Sequence, residues 1–215
     1  AEAVGALAWK NISVFTELET LPVPVVALVD GFALGGGNEL SMSAHYRIVT
    51  ENALLGQPEV KLGIIPGYGG MQRLPRLVGP ARAAELCVNG EPVNGHVAIA
   101  MGLADEFAPS AFALLRAVAA ARDFAEGRRI APRRDWDALA ASRKEELERL
   151  FARPQVRDIL GSPTPGKEKA GELRAARLAA ARDALVAMRY GFERGFAEGL
   201  RNDARAFGAV AASPG

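Results

Sequence analysis

A glycine-rich turn between two short apolar runs constrains the fold of this chain more than any other feature. The turn covers residues 31–37, follows the β-branched run Val25–Val29 and precedes a second apolar run, Tyr46–Thr50. The first run is typical of a strand buried on both faces. A short helix over residues 38–44 and an amphipathic helix over residues 2–19 complete the order helix, strand, turn, helix, strand. That order predicts an α/β fold.

The chain changes character near residue 108. Beyond it, Ala, Arg, Glu and Leu dominate, and the Ser-Pro-Thr-Pro-Gly-Lys stretch at 162–167 predicts a loop. We therefore divide the chain into residues 1–108 and a helical region, residues 109–215. The further predicted elements are helices at 80–88 and 92–101, a strand at 103–107, and helices at 110–126, 135–151, 168–190 and 196–212, with breaks at Gly191 and Gly195.

The charge balance gives no reason to expect nucleic acid or a membrane as a partner. Lys and Arg total 26 against 25 Asp and Glu, which leaves a net charge of +1. Arginines do concentrate at Arg128, Arg129, Arg133 and Arg134. A solvated face and a phosphate contact both explain such a cluster, and the first is the commoner explanation.

The chain has a single cysteine, Cys87, so no intrachain disulfide is possible. It lies on an expected apolar helical face, where it is interpreted as a buried core residue. A cytoplasmic location fits this cysteine content, and we find neither a signal peptide nor an apolar run of membrane-spanning length. Cys87, His45 and His96 do not have the spacing of metal ligands, so no metal site is predicted.

The glycine turn and two glutamates after it can support acid/base chemistry beside a carbonyl. Glycines at residues 35–37 let a ligand approach the backbone, and the next helix presents its first N–H groups there. Glu39 falls in the first turn of that helix, and Glu59 follows Gln57-Pro58 in a rigid segment. Together these groups can hold an oxyanion and move protons beside it.

Each of these features also has a purely structural explanation. The glycines can serve close packing of a strand against a helix, and the helix dipole stabilises a carboxylate such as Glu39 without any catalytic role. Two other ligand motifs are absent, because the turn has neither G-x-G-x-x-G spacing nor a following G-K-[ST]. A second glycine turn, residues 66–70, strengthens the functional explanation.

The same stretch resembles a known family. The segments PVPVVALVDGFALGGGNEL, GQPEVKLGIIPGYGGMQRLPRLVG and NGEPVNGHVAIAMGLADE are similar to those of the crotonase superfamily, also called the enoyl-CoA hydratase/isomerase family. The resemblance is close over about residues 20–108. It implies an α/β, crotonase-like spiral of ββα turns, followed by a helical C-terminal region that covers the pocket and mediates assembly into a homotrimer or hexamer. It also implies that the family's front section, which carries the other oxyanion donor, is absent from residues 1–108.

The resemblance implies roles for four residues. Gly36 would supply one oxyanion N–H, Glu39 and Glu59 would hold and activate a water, and Gly67 would lie near that water. The expected substrate is an acyl-CoA thioester, and no cofactor is expected because coenzyme A is part of that substrate. Two glutamates favour hydration of an α,β-unsaturated acyl-CoA over double-bond isomerisation.

Three alternatives remain open at this point. One is enoyl-CoA isomerisation. Another is ring-opening hydrolysis of a cyclic oxo-acyl-CoA, of the 6-oxocyclohex-1-ene-1-carbonyl-CoA hydrolase type, to which the long helical region and His45 point. The non-enzymatic alternative is a truncated chain that serves as an assembly or CoA-binding module.

Overall fold

Strands in the first half of the chain alternate between two small sheets. The computed structural model describes residues 1–162 and 172–212, and each sheet has three strands within these ranges. The strands are β1 (Val26–Val29), β2 (Phe32–Leu34), β3 (Tyr46–Val49), β4 (Leu54–Gly56), β5 (Val93–Asn94) and β6 (Glu106–Phe107). One sheet has the parallel order β1-β3-β6, whereas in the other β4 pairs in parallel with β2 and antiparallel with β5.

The alternation confirms the predicted spiral of ββα turns. β1 is followed after two residues by β2, which belongs to the other sheet, and then by α2 (Gly36–Ser43). β3 and β4 repeat the step, so that Val26 lies beside Tyr46 and Phe32 beside Leu54. The interpretation of residues 31–37 as a turn alone is wrong, because β2 occupies the middle of it.

Helices follow the two sheets and surround them. A 3₁₀ helix (Pro58–Leu62) and α3 (Gly70–Val78) lie between β4 and α4. The other helices are α1 (Glu2–Thr20), α4 (Pro80–Asn89), α5 (Gly95–Ala100), α6 (Ser110–Ala125), α7 (Trp136–Ser142), α8 (Lys144–Ala152), α9 (Pro154–Gly161), α10 (Glu172–Arg194) and α11 (Phe196–Ala211). No helix in these described ranges is both long and apolar enough to cross a bilayer.

β3 forms the centre of its sheet and β1 lies at an edge. All four residues of β3 are buried, whereas Val26, Ala27 and Leu28 of β1 are only half-buried. The prediction that β1 is buried on both faces is therefore wrong. The physical reason is its edge position, since β1 pairs with β3 on one side and has no strand of the described chain on the other.

The helical half differs from its prediction in three places. The single helix predicted over 135–151 is two helices, α7 and α8, and α9 was not predicted. Gly191 lies inside α10 rather than breaking it, whereas Gly195 does separate α10 from α11. The loop predicted at 162–167 and the first residues of the helix predicted at 168–190 lie outside the described residues, apart from Ser162.

The first and last helices cross at two glycines. A Cβ on Gly208 of α11 would lie 2.7 Å from the Gly5 Cα of α1, so both backbones approach closely. Ala8 and Ile12 of α1 are buried in the same contact, together with Leu200 of α11. This packing places α11 beside the glycine turn at residues 66–70, which carries part of the candidate site.

Candidate active site

Glu39 is buried and held by two backbone N–H groups. It lies in the first turn of α2, and its side chain points into the protein, so that only 1% of the residue is exposed. Its Oε1 accepts hydrogen bonds from Tyr68 N at 2.8 Å and Gly70 N at 2.6 Å. These bonds favour the ionised form, but burial is the larger effect and raises the pKa of Glu39 to about 7.

Glu59 lies opposite, at the start of the 3₁₀ helix. Pro58 begins this helix, and Glu59 is 9% exposed. Burial raises the pKa of Glu59 to about 8, and the negative charge of Glu39 adds to that rise. With its amide nitrogen turned toward these acceptors, Gln57 donates to Glu59 Oε1 at 3.2 Å and to the Gly35 carbonyl at 3.3 Å.

Close packing around glycines brings the two carboxyl groups together. A Cβ on Gly35 would lie 2.9 Å from Glu59 Oε1. A Cβ on Gly70 would lie 2.7 Å from Glu39 Oε1 and would also contact the Gln57 side-chain amide. Gln57 in turn bonds Glu59, so the two glutamates face a common region bounded by the two glycine turns.

Gly36 presents a helix N-terminus to the same region. It is the first residue of α2, and its N–H therefore has no acceptor within that helix. The preceding Gly35 has φ 55°, a conformation that side-chain-bearing residues rarely adopt. The positive end of the α2 dipole and the Gly36 N–H are suited to an oxygen that gains negative charge.

Aromatic rings cover two of the predicted glycines. A Cβ on Gly36 would lie 3.2 Å from the Tyr68 ring, and one on Gly67 would lie 2.5 Å from the Phe207 ring. The Tyr68 and Phe207 ring centroids are 6.1 Å apart, and Phe15 of α1 packs edge-on against Tyr68. All three rings are half-buried, so they give the site an apolar wall to which α1 and α11 contribute.

A buried arginine fixes the loop that carries the two donors to Glu39. Arg73 Nη1 donates to the Tyr68 carbonyl at 3.1 Å, and Nε pairs with Glu19 of α1 at 2.5 Å. Arg73 also lowers the pKa of Glu39, against the larger effect of burial. The loop is therefore tied both to its own helix and to α1.

The histidines and the cysteine that the sequence singles out lie elsewhere. Nδ1 of His45 accepts from Val25 N at 3.0 Å, and the residue borders a cavity of about 30 Å³ that also contacts Glu19 and Trp136. His45 is thus a buried residue of the core, only 3% exposed. Cys87 is buried as predicted, and the exposed His96 stacks on Phe107 at 4.2 Å.

The arginine cluster has a structural role that neither prediction covered. Arg129 stacks on the Tyr46 ring at 4.8 Å and donates to its hydroxyl at 2.8 Å. Arg133 and Arg134 donate to backbone carbonyls, and Arg128 pairs with carboxylates of its own segment. The cluster ties the segment after α6 to the sheet, so it is neither a plain solvated face nor an open anion site.

Sequence reasoning named the two glutamates and two glycines but missed their supports. Three of these supports lie within the motifs, so spacing could have suggested them. Gln57 is a neighbour of Glu59, and the second glycine turn contains Tyr68 and Gly70. Phe207 of α11 and Glu19 of α1 had no such signal, because their contacts depend on how distant helices pack.

Comparison with known proteins gives the family of this fold and site. The candidate site has two buried carboxyl groups, Glu39 near the N-terminus of α2 and Glu59 in the 3₁₀ helix, and the ββα spiral that carries them is the fold of crotonase-type proteins. The sequence profile of the enoyl-CoA hydratase/isomerase family matches residues 4–157. This chain therefore belongs to the enoyl-CoA hydratase/isomerase family.

Solved structures agree with this assignment. Enoyl-CoA hydratase from Bacillus anthracis is 28% identical, with a TM-score of 0.56 over 99% of this chain and 64% of that chain. A carnitinyl-CoA dehydratase from Mycobacterium thermoresistibile has the same fold, with a TM-score of 0.68, 24% identity and coverage of 97% of this chain and 63% of that chain. The chain thus spans less than two thirds of the length of either protein.

Proposed function

We propose that this protein hydrates an α,β-unsaturated acyl-CoA thioester. The observation that carries the proposal is the pair of buried carboxyl groups, Glu39 and Glu59, beside the first N–H of α2 at Gly36. Family membership supports the acyl-CoA substrate class, and the Bacillus anthracis relative is itself named an enoyl-CoA hydratase.

In the proposed reaction, the two carboxyl groups start with one proton between them. The ionised group accepts a proton from water as the water oxygen bonds to the β-carbon of the substrate. The π electrons move toward the thioester oxygen, where the Gly36 N–H and the α2 dipole stabilise the negative charge. The enolate then returns these electrons to the α-carbon, which takes the proton of the other carboxyl group. The pair again holds one proton, and water has been added across the double bond.

The raised pKa values suit this exchange. Ordinary glutamates would both be ionised near neutral pH, and neither could donate a proton. Burial moves the pKa of Glu39 to about 7 and that of Glu59 to about 8. A carboxylic acid and a carboxylate are then both accessible near neutral pH, as a reaction that uses one group as base and the other as acid requires.

The contacts of Glu39, Glu59 and His45 agree better with hydration than with isomerisation or ring-opening hydrolysis. Isomerisation moves one proton between two carbons and needs a single carboxyl group, whereas here two face a common region. Ring-opening hydrolysis was suggested by His45, but this histidine contacts Val25 and none of the proposed site residues. The proposed reaction needs no cofactor, since coenzyme A belongs to the substrate and water is the second reactant.

Assembly into a homotrimer or hexamer and a cytoplasmic location remain part of the proposal. Exposed apolar side chains on α6 support a surface for assembly: Phe112, Leu114 and Leu115 are 63%, 69% and 70% exposed. Several large apolar side chains exposed on one helix are the kind of surface that subunit contacts cover.

The test is the rate of crotonyl-CoA hydration by the purified protein and its Glu59→Gln variant. We expect the variant to lose about 10²–10⁴-fold in kcat, the usual contribution of a general acid or base. Glu145→Gln is the matched control, because this side chain is 87% exposed and pairs only with Arg149 among the described contacts. An unchanged rate in Glu59→Gln contradicts the proposed mechanism. Absence of activity in the parent protein on any enoyl-CoA favours the assembly or CoA-binding module.

A further inference from the structure

A buried polar side chain connects α3 with the last two helices. Gln72 of α3 is fully buried, and its Nε2 donates to the Ala187 carbonyl of α10 at 3.1 Å and to Asp203 Oδ1 of α11 at 2.8 Å. Its Oε1 accepts from Arg76 Nη1 at 3.0 Å, and Arg76 Nη2 donates to the Gly191 carbonyl at 2.8 Å. Both polar atoms of the Gln72 amide thus have partners, Nε2 on α10 and α11 and Oε1 on Arg76 of α3 itself.

Two glycines make room for this side chain. A Cβ on Gly199 of α11 would lie 2.5 Å from Gln72 Oε1, and one on Gly191 of α10 would overlap the same atom. Around Gly191 the three nearest atoms that such a Cβ would meet all belong to Gln72, whereas a Cβ on Gly199 would also lie 2.9 Å from the Gly191 Cα. Neither glycine has a positive φ. A side chain at Gly191 would therefore remove space for Gln72, and one at Gly199 would also push α10 and α11 apart.

Gln72 is two residues from the donor that holds Glu39. Gly70 N–H bonds Glu39 Oε1 at 2.6 Å, and Gly70 and Gln72 belong to the first turn of α3. A helix turn is rigid at this scale, because successive backbone N–H groups are set by the same helical geometry. A rotation or shift of this turn therefore displaces the Gly70 donor and the Tyr68 donor before it.

We propose that Gln72 is a positioning residue, which fixes the first turn of α3 against α10 and α11 and thereby holds Glu39 in place. The role goes beyond the motif match, since it makes the helical half of the chain responsible for the orientation of a carboxyl group in the other half. It rests on the proposed function only in that Glu39 takes part in hydration. The contact chain from Asp203 through Gln72 to Gly70 can be tested without turnover.

Nearby charges also change the pKa of Glu39, and their effect must be separated from that of its hydrogen bonds. Glu59 of the 3₁₀ helix and Arg73 of α3 act on it through their charges, and Asp203 of α11 is within electrostatic reach. Burial raises the pKa of the Asp203 carboxyl well above its ordinary value, and its Oδ1 accepts the hydrogen bond from Gln72. Loss of a hydrogen bond to Glu39 raises its pKa, whereas loss of a nearby negative charge lowers it, so the two causes differ in sign.

The experiment measures the titration of the Glu39 carboxyl by ¹³C NMR in a Glu59→Gln background, where one carboxyl group of the pair remains. We expect Gln72→Met, which keeps the length of the side chain but not its amide, to raise the pKa of Glu39 by about half a unit or more. Gly191→Ala displaces the same amide and should raise the pKa of Glu39 similarly. Asp203→Asn retains an oxygen acceptor for Gln72 and should leave the pKa of Glu39 unchanged or lower it.

Kinetics in the otherwise unaltered protein give a second readout. Gln72→Met should lower kcat about 10-fold or more while KM changes less than about 2-fold. The reason is that the substitution displaces a reacting group, Glu39, whereas residue 72 itself does not touch substrate. Should Gln72→Met fail to fold, Gln72→Ala/Gly191→Ala carries the same test, since the added methyl group occupies part of the vacated space. An unchanged Glu39 titration in folded Gln72→Met, or a raised one in Asp203→Asn, overturns the proposal. A parent protein without hydratase activity would refute the proposed function and leave the titration result decisive for Gln72.

Discussion

The strand-containing half and the helical half contribute to the candidate site in different ways. The first half supplies the proposed reacting groups from glycine turns, where Glu39, Glu59 and the Gly36 N–H come within a short stretch of sequence. The second half supplies none of them. It contributes contacts that hold or cover them, through Gln72 partners on α10 and α11 and through the Phe207 ring.

The difference teaches where substitutions should matter most. In the first half, a single added methyl group would meet a carboxyl oxygen directly, as at Gly70. A substitution in the second half affects the same carboxyl group only indirectly, through the buried Gln72 amide and the first turn of α3. Many outer residues of the helices meet only solvent and one another, so the expected effects decrease from the glycine turns outward.

Among the glycines, the largest effect of a substitution is expected at Gly70. A Cβ there would lie 2.7 Å from Glu39 Oε1 and 3.0 Å from Pro66 Cβ, and would overlap the Gln57 amide. We expect Gly70→Ala to lower crotonyl-CoA hydration about 10²-fold, because Glu39 is displaced from its two donors. Overpacking should also reduce the free energy of unfolding by about 1–3 kcal/mol. Steady-state kinetics and urea denaturation measure the two effects.

Gly161→Ala provides the matched control for Gly70→Ala. Gly161 ends α9, and a Cβ there meets no atom of the described residues within 4 Å. We expect parent activity and a change in unfolding free energy below about 0.5 kcal/mol. Equal losses in the two variants would mean that the contact with Glu39 is not responsible.

The sequence predicts the parts of the fold that depend on local pattern. The helix α1, the strands β1 and β3, and the break at Gly195 follow from apolar periodicity and glycine, and the structure has them. β2 and β4 were missed because each is three residues long, too short for a periodic signal. The burial of β1 was wrong because it depends on which strands lie beside it, which no local pattern encodes.

The candidate site divides in the same way. Glu39, Glu59 and Gly36 were named from motifs, since their chemistry needs particular residue types beside glycines. The raised pKa values depend on burial, and the location of Gln72 depends on two glycines more than 100 residues further along the chain. The sequence shows those glycines but does not show that α10 and α11 cross over α3.

A separate effect is expected on the pH dependence of stability. Burial raises the pKa of Glu59 from 4.5 to about 8, so the folded protein retains a proton that the unfolded chain releases in this window. Stability is then full below pH 4.5 and falls as the pH rises toward 8. Glu59→Gln removes this contribution, which is up to about 1.4 kcal/mol per pH unit. Urea denaturation at pH 5, 6, 7 and 8 should show a flatter decline in the variant, and parallel declines would contradict the assignment.

The smallest effect is expected on the outer face of the helical half. Arg149 and Glu145 of α8 pair at 3.5 Å with side chains 71% and 87% exposed, so water and salt screen their attraction. We expect Arg149→Ala to change the unfolding free energy by less than about 0.5 kcal/mol and to leave hydration of crotonyl-CoA at the parent rate. Urea denaturation and steady-state kinetics beside Gln72→Met compare this outer ion pair with the contact that Gln72 of α3 makes to the helical half. A loss at Arg149 as large as at Gln72 would show that the helical half acts through its overall stability rather than through the contact of Gln72 with α10 and α11.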